Sequence, residues 1–128
     1  MNFNKLIPEL SVSNYEHSLD FYKMIGFKVE YTRENFAFLS LDGAQLMIEK
    51  QNDTWSVGEI KKPFGRGINF QIDVKNVEEI KLILEKNDYS IAFDLKIHTY
   101  QTNEGEVKEK EFLVQDPDGY LLRFSQTL

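Results

Sequence analysis

Along residues 67–74 apolar and polar side chains alternate strictly. Ile68, Phe70, Ile72 and Val74 fall on one side, and Gly67, Asn69, Gln71 and Asp73 on the other. A period of two belongs to a β-strand with one buried face. The same split recurs near the N-terminus, with Leu6, Leu10 and Val12 against Ile7, Glu9 and Ser11. Near the C-terminus Phe112, Val114, Tyr120, Leu122 and Phe124 oppose Glu111, Leu113, Gln115, Leu121, Arg123 and Ser125. Two stretches carry the helical period instead. Leu19, Phe21, Tyr22 and Ile25 predict a helix over residues 15–24, with Asn14 as N-cap and Gly26 as the stop. Val77, Ile80, Ile83 and Leu84 predict another over residues 77–86, capped by Asn76. Glu78 and Glu79 occupy its first turn, where the helix dipole favours negative charge.

The remaining segments read as strands. Residues 5–12 precede the first helix, and 27–32, 36–41 and 45–49 follow it, the last two joined by the hairpin signal Asp42-Gly43. Residues 68–74 precede the second helix, and 90–97, 110–115 and 120–125 follow, with Asp116-Pro117-Asp118-Gly119 as the turn. Each half is therefore βαβββ, and the halves share sequence. Val12-Ser-Asn14-Tyr15-Glu16 matches Val74-Lys-Asn76-Val77-Glu78 at a spacing of 62 residues, and Phe27 and Val29 match Tyr89 and Ile91 at the same spacing. A duplication of half-domain size is visible in one chain. The expected fold is α+β: two tandem βαβββ units, about 5–50 and 67–126, forming curled mixed sheets with a concave inner face. A linker loop spans about 51–66 and a second polar loop about 98–109. All of residues 1–128 are expected to form one domain.

Composition narrows the picture without naming an activity. There is no cysteine among 128 residues, so disulfides, thiolate metal sites and a cysteine nucleophile are excluded. No leader-like segment or long apolar span is present, so a cytoplasmic protein without membrane partners is expected. Fifteen basic residues against twenty-one acidic ones give a net charge of −6, which disfavours nucleic acid and suits a cationic small molecule. The cluster Lys61, Lys62 and Arg66 is interrupted by Pro63 and Phe64 and reads as a solvated loop.

The polar sides of the predicted strands carry the candidate chemistry: Glu9, Asn69, Glu111 and Arg123 as ligand-binding residues. Either this face simply meets water, or sheet curl turns it into a hollow where ligands collect. Arg123 stands among apolar neighbours, where a lone guanidinium is costly, so Glu9 or Glu111 is expected within ion-pair distance. That pair has two readings of equal weight, structural or ligand-anchoring. Trp55, Phe64 and Tyr100, all placed in loops, are candidate aromatic contacts through stacking or cation–π interaction. The competing role for them is packing as lids on the core.

Two signatures carry a family resemblance. One is Val12-Ser-Asn14-Tyr-Glu-His-Ser18-Leu-Asp-Phe21-Tyr22 with Ile25-Gly26-Phe27, and the other is Phe112-Leu-Val-Gln-Asp116-Pro117-Asp118-Gly119-Tyr-Leu-Leu-Arg123-Phe. Together with Gly67-Ile-Asn-Phe70-Gln-Ile72, they make the chain resemble the vicinal oxygen chelate superfamily of glyoxalases, bleomycin-resistance proteins and extradiol dioxygenases. The resemblance implies three metal-ligand points, which fall here on Ile7, Gly67 and Arg123. Two have no donor side chain and the third is a permanent cation. The implied reading is the metal-free bleomycin-resistance branch, without cofactor: a homodimer that sequesters a drug or metabolite, cationic or aromatic, in a cleft, without catalysis. The alternative is a glyoxalase- or lyase-type enzyme with a non-standard or metal-free site.

Overall fold

A computed structural model describes residues 2–128. The elements run β1 (Glu9–Val12), α1 (Tyr15–Met24), β2 (Lys28–Arg33), β3 (Phe36–Leu41), β4 (Ala44–Lys50), β5 (Asn69–Asp73), α2 (Val77–Lys86), β6 (Phe93–Thr102), β7 (Gly105–Gln115) and β8 (Leu121–Thr127). They form two four-stranded sheets, ordered β1-β4-β3-β2 and β5-β8-β7-β6. In each sheet the strand before the helix pairs parallel with the last strand of its unit, and the other pairs are antiparallel. The expected α+β architecture of two βαβββ units is thus observed, as two four-stranded mixed sheets.

Both helices begin where the sequence places them. Asn14 accepts from the His17 backbone N–H and Asn76 from that of Glu79, each at 3.1 Å, so equivalent caps satisfy equivalent orphan donors. The helices and one face of each sheet enclose a shared core. Leu10, Val12, Phe21, Tyr22, Leu39 and Ile48 from the first unit join Ile72, Val77, Leu84, Phe112, Leu122 and Phe124 from the second. Because the core lies between the units, the opposite face of each sheet turns outward.

A polar clasp crosses the same junction. The Tyr22 hydroxyl, buried on α1, donates to Asp116 Oδ2 at 2.7 Å. Asp116 also accepts from the backbone N–H groups of Asp118 and Tyr120 at 3.0 and 2.9 Å. Asp118 in turn accepts from the backbone N–H and the hydroxyl of Ser13. The Tyr120 hydroxyl donates to the Ser11 carbonyl at 2.9 Å. The turn of the second unit therefore grips the β1–α1 corner of the first. Gly119 is required there: it has φ +101°, and a Cβ would lie 2.5 Å from the Pro63 Cβ.

Several strand boundaries differ from expectation. β1 begins at Glu9 instead of residue 5; Pro8 offers only its carbonyl to Met47, and Leu6 is 85% exposed, outside the core stripe. β5 likewise starts one residue late, leaving Ile68 55% exposed. The largest difference concerns residues 98–109, expected to be a loop. They belong to a long β6–β7 hairpin, turned at Asn103 and Glu104, whose strands reach ten and eleven residues against six each for β2 and β3. The two halves thus diverge most in this hairpin.

Candidate functional site

The outward faces of the two sheets have opposite fates. On the first sheet Phe36 and Phe38 point away from the shared core and yet are 1% and 0% exposed. Phe3 stacks on Phe38 with centroids 5.3 Å apart, Tyr31 packs against both rings, and the Arg33 guanidinium sits 3.9 Å above Phe36. The segment carrying Phe3 is held down by Asn4, which donates to Gln45 Oε1 and to the Gly43 carbonyl. Aromatic side chains and the chain's own N-terminal segment fill this face.

On the second sheet the matching face is open. Phe38 lies opposite Met47 in the first unit, and Leu113 lies opposite Arg123 in the second, so Arg123 stands where Met47 stands. By the same register Glu111, opposite Ser125, stands where Phe36 stands, opposite Glu49. With Glu111 at the place of Phe36, Arg123 at that of Met47 and the smaller Leu113 at that of Phe38, a hollow of about 610 Å³ opens across β5–β8. Its apolar walls are Phe93, Leu95, Leu113 and Leu121, and its polar lining comprises Asn69, Asp94, Lys96, His98, Tyr100, Glu111 and Arg123. The size and the mixture, apolar walls around a few converging polar groups, are those of a small-molecule site.

Strand alternation explains the polar floor. Lys96, His98 and Tyr100 are two residues apart on β6, Glu111 follows on β7, Arg123 on β8 and Gln71 on β5. Glu111 is the centre, with its side chain 0% exposed. The Tyr100 hydroxyl donates to Oε1, and His98 Nδ1 lies 3.1 Å from the same oxygen without making a hydrogen bond. Arg123 Nε stands 3.9 Å from Oε2, a charge contact longer than a hydrogen bond. Arg123 Nη2 donates instead to Gln71 Oε1 at 3.0 Å. Three buried polar atoms of this floor, His98 Nδ1, Glu111 Oε2 and Arg123 Nε, are thus left without hydrogen-bond partners among the described residues. The Glu111 carboxylate pushes the Tyr100 phenol above its ordinary pKa, since ionising the phenol would forfeit that bond; burial adds to the shift. Alongside, Glu109 is held by the Ser125 and Thr127 hydroxyls at 2.7 and 2.8 Å.

Of the residues singled out from the sequence, the fold brings Asn69, Tyr100, Glu111 and Arg123 together in this hollow. Tyr100 arrives on a strand, not on a loop. Of the two partners expected for Arg123, Glu111 is the one nearby. Glu9 does not reach the hollow: it lies on the first sheet, where partial burial and then the Glu49 charge push its carboxyl up, while Arg33 opposes them. Phe64 is a core residue, 6% exposed and packed edge-on against Tyr120 at 5.9 Å. Trp55 remains in the linker, 73% exposed and away from the hollow. Sequence reasoning missed Lys96 and His98. The signal was the alternation of Lys96, His98 and Tyr100 with Ile97 and Thr99, ending at Asn103-Glu104-Gly105.

The donor set does not fit a divalent cation. At the three points implied by the metal-dependent proteins stand an isoleucine, a glycine with φ +86°, and Arg123, whose guanidinium occupies the space beside Glu111. Among the described residues no three His, Asp or Glu side chains are grouped to hold a metal ion.

Paired βαβββ units with a ligand-sized hollow on an outward sheet face define a binding or enzymatic module of the vicinal oxygen chelate type. The chain belongs to the Glyoxalase/Bleomycin resistance protein/Dioxygenase superfamily, whose family model matches residues 6–124. No curated protein matches the chain. Among solved structures it is similar to TioX from Micromonospora sp. (18% identity, covering 98% of this chain and 100% of that one, TM-score 0.72). It is also similar to a virulence protein from Salmonella typhimurium (18% identity, 100% of both chains, TM-score 0.70). A third is a bleomycin resistance determinant encoded on the transposon Tn5 (16% identity, 97% and 98% covered, TM-score 0.63). At these identities the likeness concerns the fold. No helix among the described residues is long and apolar enough to cross a membrane.

Proposed function

We propose that the chain is a single-domain small-molecule-binding protein that sequesters a drug or metabolite on the open face of its second unit, without catalytic metal and as a homodimer. The observation that carries this is the contrast between the two sheet faces. One is filled by Phe36 and Phe38, whereas the equivalent one is a hollow with a buried Glu111–Arg123 floor. Maintaining two incompletely bonded charged groups at the base of a hollow costs stability, and a binding role accounts for that cost. The family, which includes bleomycin resistance proteins, supports small-molecule binding as the class of function. A dimer is supported by apolar side chains left bare, Leu6 (85%), Phe93 (60%), Ile97 (56%) and Ile68 (55%), which a second copy would cover.

Native mass spectrometry of protein taken directly from cells, with thermal-shift screening of a broad compound library, tests the proposal. The expected result is a dimer mass and a compound whose saturable binding raises the melting temperature by mass action. Leu121→Trp, which places an indole in the hollow, is expected to abolish that rise. A monomer mass, or no compound that stabilises the wild type, overturns the proposal.

A further inference from the structure

The charge balance inside the hollow differs from that of the whole chain: Asp94 and Glu111 are matched there by Lys96 and Arg123. The net charge is −6, but each carboxylate lining the hollow is already engaged. Glu111 is sealed beneath Tyr100 and His98, with its side chain 0% exposed, so a cation cannot reach it without displacing both. Asp94 is tied to Lys81 at 3.0 Å, and that contact holds its carboxyl below the ordinary range. The cations are freer. Arg123 is 28% exposed, and its hydrogen bond from Nη2 to Gln71 uses one donor of a five-donor fork. Lys96 is exposed on the rim of the hollow and forms no ion pair among the described residues.

Both cations belong to one site. Lys96 faces Glu111 across the β6–β7 register, and Arg123 lies diagonally beyond it, so the two cations flank Glu111 from the strands on either side of β7. Glu111 neutralises part of this charge from below and holds the guanidinium in place. Leu95, Leu113 and Leu121 supply the apolar walls.

We infer that the hollow selects a small organic anion, a carboxylate on a flat or apolar body, with its head between Arg123 and Lys96 and its body against Leu113 and Leu121. This rests on the binding function proposed above and reverses the cationic preference that the net charge alone suggests. A guanidinium and an ammonium donate charge-assisted hydrogen bonds to a carboxylate, and apolar walls strengthen them by excluding water.

Calorimetric titration with three probes of one shape tests the inference: 2-naphthoate, 2-naphthamide and 2-naphthylmethylammonium. The carboxylate is expected to bind at least about tenfold more tightly than the amide, with the ammonium weakest. Lys96→Gln, at an exposed position that leaves the Glu111 floor intact, is expected to weaken carboxylate binding more than amide binding and so shrink the carboxylate preference about threefold or more. Arg123→Gln is expected to remove the preference, and circular dichroism reports whether that variant folds. If the ammonium binds best, or the three bind equally, the anion inference is overturned and the binding function stands. If none of the three binds while a library compound does, the inference also falls. If neither the probes nor the library binds, the proposed function falls with it.

Discussion

Replacing Tyr22 by phenylalanine keeps the ring in the core and deletes one hydroxyl. That hydroxyl is 2.7 Å from Asp116 Oδ2, in a place where Tyr22 is 0% and Asp116 3% exposed. Water cannot take over the lost bond without entering the junction between the units. A hydrogen bond to a buried carboxylate contributes about 1.5–3 kcal/mol, so Tyr22→Phe is expected to destabilise the fold by about 2 kcal/mol near neutral pH. In urea this moves the unfolding midpoint down by about 1 M, since a chain of this size loses about 1–3 kcal/mol of stability per molar. The pH dependence distinguishes this mechanism from a simple packing loss. Burial raises the Asp116 carboxyl above its ordinary 3.8, while the Tyr22 hydroxyl and the Tyr120 and Asp118 N–H groups pull it back. Removing the hydroxyl raises it further. A carboxyl whose folded value is raised contributes its full stability below the unfolded value and loses it as pH rises through the folded value. The gap between wild type and variant is therefore expected to be widest at pH 7–8 and to narrow as pH falls towards 4. Equilibrium urea unfolding across that range measures it. A constant gap, or one that widens in acid, refutes a bonded carboxylate at the junction.

Two further expectations follow from side-chain placement. Phe64→Ala, in a residue 6% exposed against Tyr120, is expected to cost about 3–5 kcal/mol, whereas Trp55→Ala, 73% exposed, is expected to stay within about 0.5 kcal/mol; equal losses in urea unfolding contradict that assignment. Asn14→Ala and Asn76→Ala each remove one N-cap bond at 3.1 Å, so each is expected to cost about 1 kcal/mol, with Asp at either position retaining most of it; thermal unfolding of the four variants measures this.

The architecture was legible in the chain because it rests on local rules. Period-two alternation around residues 67–74, helical spacing from Leu19 and from Val77, and two asparagine caps 62 residues apart are readable without coordinates. The placing of Arg123 and Glu111 on one face followed from the same alternation. Alternation does not specify how far a strand extends, and a polar exposed edge strand looks like a loop. That is why the outer part of the β6–β7 hairpin, with His98 and Tyr100, reads as a loop in the sequence.

What only the tertiary structure decided was which residues of different strands meet. Glu9 and Glu111 were equal candidates to pair Arg123, and register alone set Glu111 at 3.9 Å and left Glu9 on the other sheet. Asp116-Pro117-Asp118-Gly119 reads as a turn, but folding made it a clasp, because Tyr22 and Ser13 are about a hundred residues away in sequence and adjacent in space. The duplication itself implied two equivalent faces. Side-chain volume broke the equivalence: Phe36 fills one face, and Glu111, at the matching register, helps leave the other open. Periodicity names the face on which a side chain lies. Whether that face is filled or hollow depends on packing between residues distant in the chain.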